Sequence, residues 1–155
     1  MSFQIRALPK DPFEHLFALS DDELAREDAR RVIADASPGY PCRVSLQDAA
    51  VGETVLLLNF THHDAATPYR ASHAIFVREG AEEARPAPGE IPDALARRVL
   101  SVRAFDERGD MIGAEVADGA DLATAIERRF DDPHAAFLHV HNAGPGCYAA
   151  RVDRR

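Results

Sequence analysis

The residues most able to do chemistry in this sequence lie in one string near its end, Phe137-Leu138-His139-Val140-His141-Asn142-Ala143-Gly144-Pro145-Gly146-Cys147-Tyr148. Side chains alternate along a strand, so His139 and His141 share one face with Phe137 while Leu138 and Val140 point the other way, into a core. Two imidazoles spaced like this can supply two ligands to a zinc or iron ion, provided a neighbouring strand brings a third. His73 is the candidate third ligand, with His62 an alternative, and no carboxylate lies beside the pair to complete a facial triad. The Gly144-Pro145-Gly146 turn brings Cys147 and Tyr148 back beside the histidines. A nearby imidazole there could make Cys147 a nucleophile, and turn amides could form a small anion nest. The plainer readings are partly buried histidines bonded to backbone, a small core cysteine and an ordinary hairpin. The turn lacks the lysine and the strand-to-helix context of a phosphate loop.

A second polar group lies upstream, in Asn59-Phe60-Thr61-His62-His63 and Pro68-Tyr69-Arg70-Ala71-Ser72-His73. Arg70 offers a planar, permanently charged fork suited to a carboxylate or phosphate, with Tyr69 and Ser72 beside it. The competing reading is a salt bridge to one of the many acidic side chains. Arg43 has the same choice, between facing a pocket and pairing with Asp48. Asn59 ends a very apolar segment and needs partners if it is buried. His15, His134 and His63 read as exposed or loop residues, and Cys42 as part of the core.

The elements that must position these groups follow from periodicity and turn chemistry. Phe3 to Leu8 alternates as a strand, and Pro12 opens a short helix through Leu19. Ser20-Asp21-Asp22-Glu23 is a capping box that starts another helix. Arg30 to Ala34 and Cys42 to Leu46 read as strands around the turn at Ser37-Pro38-Gly39-Tyr40-Pro41. Thr54 to Phe60, with Val55-Leu56-Leu57-Leu58, suits a central strand buried on both faces. Thr61 to Pro68 reads as a polar connection, Ser72 to Arg78 as a strand, and the proline-rich Ala81 to Pro92 as a surface loop. Strands around Leu100-Val102-Ala104 and Ile112-Ala114-Val116 flank a hairpin turn at Asp106 to Asp110. Asp121 to Phe130 is an amphipathic helix with Leu122, Ala125, Ile126 and Phe130 on one face. About eight strands with short links predict a single α+β domain over residues 1–155, a mainly antiparallel β-sheet with two or three short helices.

Composition narrows the function. The 155 residues suit one domain, and 46% hydrophobic content suits a packed core. A net charge of −8, with no arginine pair interleaved with aromatics, argues against nucleic acid as a partner. No apolar run approaches the roughly 20 residues of a membrane span. No signal-peptide pattern is present, so Cys42 and Cys147 are expected as free thiols in the cytoplasm.

Four strings carry a family resemblance: Cys42-Arg43-Val44-Ser45-Leu46, Val55-Leu56-Leu57-Leu58-Asn59, Pro68-Tyr69-Arg70-Ala71-Ser72-His73-Ala74-Ile75-Phe76-Val77, and His139-Val140-His141-Asn142-Ala143-Gly144-Pro145-Gly146-Cys147-Tyr148. In these the chain resembles the bacterial family known as domain of unknown function 1203. The resemblance implies a bacterial single-domain protein of about this length and brings no activity or site assignment with it.

Three functional expectations follow. The first is a pocket lined by His62, Arg70, His73, His139, His141 and Cys147, with Tyr69, Ser72, Asn142 and Tyr148 as further binding residues, that takes a small polar or anionic molecule. In an enzyme a histidine would be the general base and Arg70 the anion clamp. The second is a metal site on His139 and His141 with His73. The third is a non-enzymatic interaction module, such as a homodimer, in which these residues belong to a core or interface.

Overall fold

Apolar residues at alternate positions build most of the chain into strands, and the computed structural model describes residues 2–155. In chain order the elements are β1 (Phe3–Arg6), α1 (Asp11–Glu14), a 3₁₀ turn (His15–Ala18), α2 (Asp21–Arg26), β2 (Ala29–Ile33), β3 (Thr54–His63), β4 (Ala71–Arg78), α3 (Asp93–Ala96), β5 (Val99–Phe105), β6 (Met111–Asp118), a 3₁₀ turn (Gly119–Asp121), α4 (Leu122–Phe130), β7 (Phe137–Asn142) and β8 (Tyr148–Arg154). The fold is α+β and wholly antiparallel within its sheets, as the sequence predicts. There are two sheets rather than one: five strands in the order β1-β8-β7-β5-β6, and three in the order β2-β3-β4. Among the described residues the helices number four, all short. The capping box is formed at α2, where Ser20 Oγ accepts from the Glu23 amide at 3.2 Å and the Glu23 carboxylate accepts from the Ser20 amide at 3.4 Å.

The five-stranded sheet has one face closed by α4. Leu122, Ala125, Ile126 and Phe130 of that helix pack with Leu100, Val102, Ala104, Leu138, Val140 and Val152. The apolar row that marks β6 as a strand faces the other way. Ile112 and Val116 are 38% and 68% exposed, while Glu115 turns toward α4 and meets Arg128 at 2.9 Å and Arg129 at 3.1 Å. Register decides this, because Glu115 lies opposite Val102, which points at the helix. The three-stranded sheet carries a second core, in which Leu56, Leu58, Ile75 and Val77 meet Phe13, Leu16 and Leu24.

The sequence reading needs correction in three places. Cys42 to Leu46 is not a strand: it makes one bridge, Cys42 to Phe76, and turns back so that the Leu46 amide donates to the Cys42 carbonyl at 3.0 Å. β3 is central in its sheet and buried on both faces only at Val55 and Leu56, whereas Asn59 is exposed. The strand then runs on to His63, so His62 and His63 belong to it and not to a loop. That extension matters because the end of β3 reaches the uncovered face of β7, where His62 lies against His139 and His141. Among the described residues no helix is long and apolar enough to cross a membrane.

Candidate functional site

Arg43 is held from both sides by backbone. Its own amide donates to the Phe76 carbonyl at 3.1 Å, and the Cys42 amide before it donates to Gln47 at 2.9 Å. The side chain therefore runs inward toward the β7–β8 turn and is only 2% exposed. Its Nε donates to the Tyr148 carbonyl at 2.8 Å, Nη2 to the Cys147 sulfur at 3.0 Å, and Nη1 to the Pro41 carbonyl. Burial pulls this guanidinium below its usual value, and the Cys147 sulfur is the strongest influence opposing that shift. Among the described residues no carboxylate pairs with Arg43. The expected partner, Asp48, is taken by Arg98 in a bidentate pair at 2.5 and 3.0 Å. Burial pushes the Asp48 carboxyl up, but the Arg98 fork, its charge and the Gly39 amide outweigh that and hold it below the usual range.

Arg43 lines a cavity of about 510 Å³. Leu57, Ala74, Phe76, Val99, Ala143 and Pro145 give it mainly apolar walls, and Asn142, Cys147, His73 and Arg98 complete them. The turn between β7 and β8 shapes the polar end. The Gly146 amide donates to the Asn142 carbonyl at 2.8 Å and the Asn142 amide to the Cys147 carbonyl at 2.9 Å, a closure that needs Gly146 at φ 80°. Asn142 is thereby drawn inward to 5% exposure, where Nδ2 donates to the Cys147 sulfur at 3.3 Å and Oδ1 has no hydrogen-bond partner. Cys147, 8% exposed, receives N–H donors from both Arg43 and Asn142.

The histidines form a different group. His139 and His141 face the end of β3, with the His62 ring 4.9 Å from His141 and stacked on Tyr148 at 5.2 Å. His63 packs 5.4 Å from His139 and 4.4 Å from Phe105. Its Nε2 donates to the Gly109 carbonyl at 2.8 Å, and His141 Nδ1 donates to the Gly146 carbonyl at 2.9 Å; both carbonyls can only accept, which sets the two tautomers. Nδ1 of His139 and Nδ1 of His62 are buried without partners. Burial, aided by neighbouring imidazoles and the Arg103 charge, lowers His62 and His141 to about 4. Burial again, with His141, His63 and His62 around it, lowers His139 to about 2. Burial also pushes the Tyr148 phenol well above its usual range.

The expected single pocket is thus divided. Cys147, Asn142 and His73 line the cavity; His62, His139, His141 and Tyr148 make the imidazole cluster beside it. Arg70 joins neither. It is 63% exposed and pairs with Asp64 at 2.5 Å, while Tyr69 is 43% exposed and Ser72 is also exposed. Arg43, not Arg70, is the arginine among the cavity walls together with Arg98, and its signal in sequence was a lone arginine inside an otherwise core-like string. Cys147 is paired with an arginine and an asparagine, not with an imidazole. Burial thus favours the uncharged form of the His62, His139 and His141 imidazoles. Among the described residues no group of three or more His, Cys, Asp or Glu side chains is placed to hold a metal ion. His73 instead lies half-buried at the cavity wall, its Nδ1 donating to the Ala74 carbonyl at 3.2 Å.

A family described as protein of unknown function (DUF1203) matches residues 39–154, which include every residue of the cavity and of the imidazole cluster. No curated protein and no solved structure matches the chain.

Proposed function

We propose that this chain, which belongs to the DUF1203 family of proteins of unknown function, binds a small molecule with an apolar body and an anionic group in the cavity between Arg43 and Val99. One observation carries this reading: a fully buried guanidinium, without a carboxylate partner among the described residues, lines a mainly apolar cavity. A buried charge without a counter-charge is costly, and its carbonyl and sulfur acceptors satisfy its geometry without neutralising it. An anion entering the cavity would supply the missing charge in a medium that strengthens the attraction. The volume lies within the roughly 300–1,000 Å³ usual for small-molecule sites.

We place the protein in a bacterial cytoplasm, a location supported by two free cysteines and consistent with the reducing conditions found there.

Thermal unfolding with octanoate, octanol and acetate tests the reading. Octanoate should raise the melting temperature more than either compound that carries only half of its chemistry. At 100 times its dissociation constant a ligand adds about 2.7 kcal/mol of stability, enough to shift the midpoint by several degrees. Equal effects of octanoate and octanol would remove the role of the Arg43 charge, and no effect of any of the three would remove the cavity as an acyl-sized site.

A further inference from the structure

We infer that β6 is a self-association edge: two copies of this chain pair antiparallel along it, around a two-fold axis at Ala114, and join their five-stranded sheets into one. The cavity plays no part in this. β6 ends its sheet, and among the described residues no strand pairs with its outer side. It is eight residues long, whereas the other edges are short or covered. β1 and β2 have four and five residues, and β4 is bridged by Cys42 at Phe76, whose carbonyl takes the Arg43 amide. A long strand with open backbone donors and acceptors is a template for another chain, and folded proteins usually guard it with proline, lysine, a bulge or an inward charge. Met111 to Asp118 holds no proline, lysine or arginine, and its register shift against β5 falls at its start, beside Met111. Its outward row is Ile112, Ala114 and Val116, all exposed.

What selects a second copy is the way the strand complements itself. Directly opposed residues of an antiparallel pair share a face, so a two-fold axis must pass through a residue and pair positions of equal parity. With the axis at Ala114, Ile112 faces Val116 of the second copy and Ala114 faces its own image. The whole exposed apolar row is then covered, and β-branched pairs of this kind are favourable. On the other face Glu115 lies opposite Gly113 of the second copy. Gly113 has no side chain, and Arg129 occupies the space: a Cβ there would come within 2.9 Å of Arg129 Nη1. Glu115 already meets Arg129 of its own chain at 3.1 Å, so each copy brings a carboxylate to the other's guanidinium, twice across the axis. The inward charge that guards other edges here meets its complement. At the strand ends Asp118 falls opposite Asp110, a repulsion that Arg108, 3.7 Å from Asp110, offsets. Neighbouring registers lose the match. An axis through Glu115 sets Glu115 against itself and Ile112 against Asp118, and one through Gly113 sets Val116 against Asp110 and Glu115 against Met111.

Sedimentation equilibrium of the full chain, from micromolar to millimolar concentration, should show a reversible dimer. Val116 is 68% exposed in the single copy, so Val116→Lys should keep the circular dichroism spectrum of the folded chain. It should weaken the dimer at least about tenfold, because the symmetry removes two cross-strand apolar pairs at once. Ala114→Cys reads the register. The axis sets the new thiol against its own image, within the Cα separation of roughly 4.4–6.8 Å that a disulfide allows, and mild oxidation should give a covalent dimer. Ile112→Cys, at roughly 3.3 Å per residue, sits about 13 Å from its own image and should stay uncrosslinked. Cys42 and Cys147 are buried, so the parent chain under the same oxidation is the control. A monomer throughout the concentration range, or a dimer that Val116→Lys leaves intact, overturns β6 as the interface. A dimer in which Ala114→Cys fails to cross-link, or Ile112→Cys cross-links as readily, overturns the axis at Ala114.

Discussion

The Arg43 guanidinium donates to the Cys147 sulfur at 3.0 Å across 104 residues of sequence, and with it joins the loop before β3 to the turn between β7 and β8. The same side chain ties the Tyr148 and Pro41 carbonyls, so one residue links the Cys42–Leu46 string to the His139–Tyr148 string at the cavity. Stability and binding are therefore coupled at this position.

Arg43→Met should destabilise the protein by roughly 3 kcal/mol or more, because it leaves two buried carbonyls without their donor at about 1–3 kcal/mol each. Arg43→Lys should recover part of that loss, keeping the charge while reaching fewer acceptors. Urea unfolding of the three proteins measures this. Wild-type stability in Arg43→Met would mean that these bonds are replaced by water at no cost, and the cavity end would then be open and wet.

Stability should fall as the pH drops from about 6.5 toward about 4. His62 and His141 titrate near 4 in the folded protein and His139 near 2, all below the ordinary 6.5 of an unfolded chain. The unfolded state thus takes up protons first, and each imidazole costs at most about 1.4 kcal/mol per pH unit in this window. Above about 6.5 both states are neutral and the contribution is constant. The lowered Asp48 carboxyl acts in the same direction, but only near and below its ordinary value of about 4. Urea midpoints at pH 7.5, 6.0 and 5.0 should decline in order, and His139→Phe should flatten the decline. A flat profile in the wild type would contradict the burial of neutral imidazoles.

Gly109→Ala should be destabilising and should loosen His63. The glycine has φ 87°, and a Cβ there would come within 2.6 Å of Ala65 Cβ and 3.3 Å of the His63 ring. The Gly109 carbonyl also accepts from both His63 Nε2 and Thr67 Oγ1. Calorimetry should show a melting temperature lowered by several degrees, and the His63 ring resonances should shift in proton–nitrogen spectra. Unchanged ring resonances would separate the turn from the cluster.

Arg70→Ala, alone or with Asp64→Ala, should change neither stability nor octanoate binding measurably. Both partners of this pair are more than 60% exposed, and exposed pairs contribute about 0–1 kcal/mol. A loss of octanoate stabilisation in Arg70→Ala would return the anion-clamp role to this residue.

Much of the fold is legible locally. Alternation in Leu138-His139-Val140-His141 assigns two residues to a core and two to the opposite face, and that division holds in β7. The capping box at Ser20 is satisfied by residues close in sequence, and the stripe of α4 from Leu122 to Phe130 is set by helical periodicity, although it packs on β5, β7 and β8. The composition and the four strings around the cavity also suffice to name the α+β class and the family.

What lies opposite the histidines is another matter. Which side chains meet depends on how two separate sheets pack, on the register that turns Glu115 inward, and on β3 running three residues past its apolar run. The division of Asp48 and Arg98 from Arg43 has the same origin. Several carboxylates and guanidiniums in this sequence are chemically equivalent as partners, and only distance in the folded chain distinguishes them. Local propensity acts over a few residues, whereas the contact between Arg43 and Cys147 is set by every element packed between them.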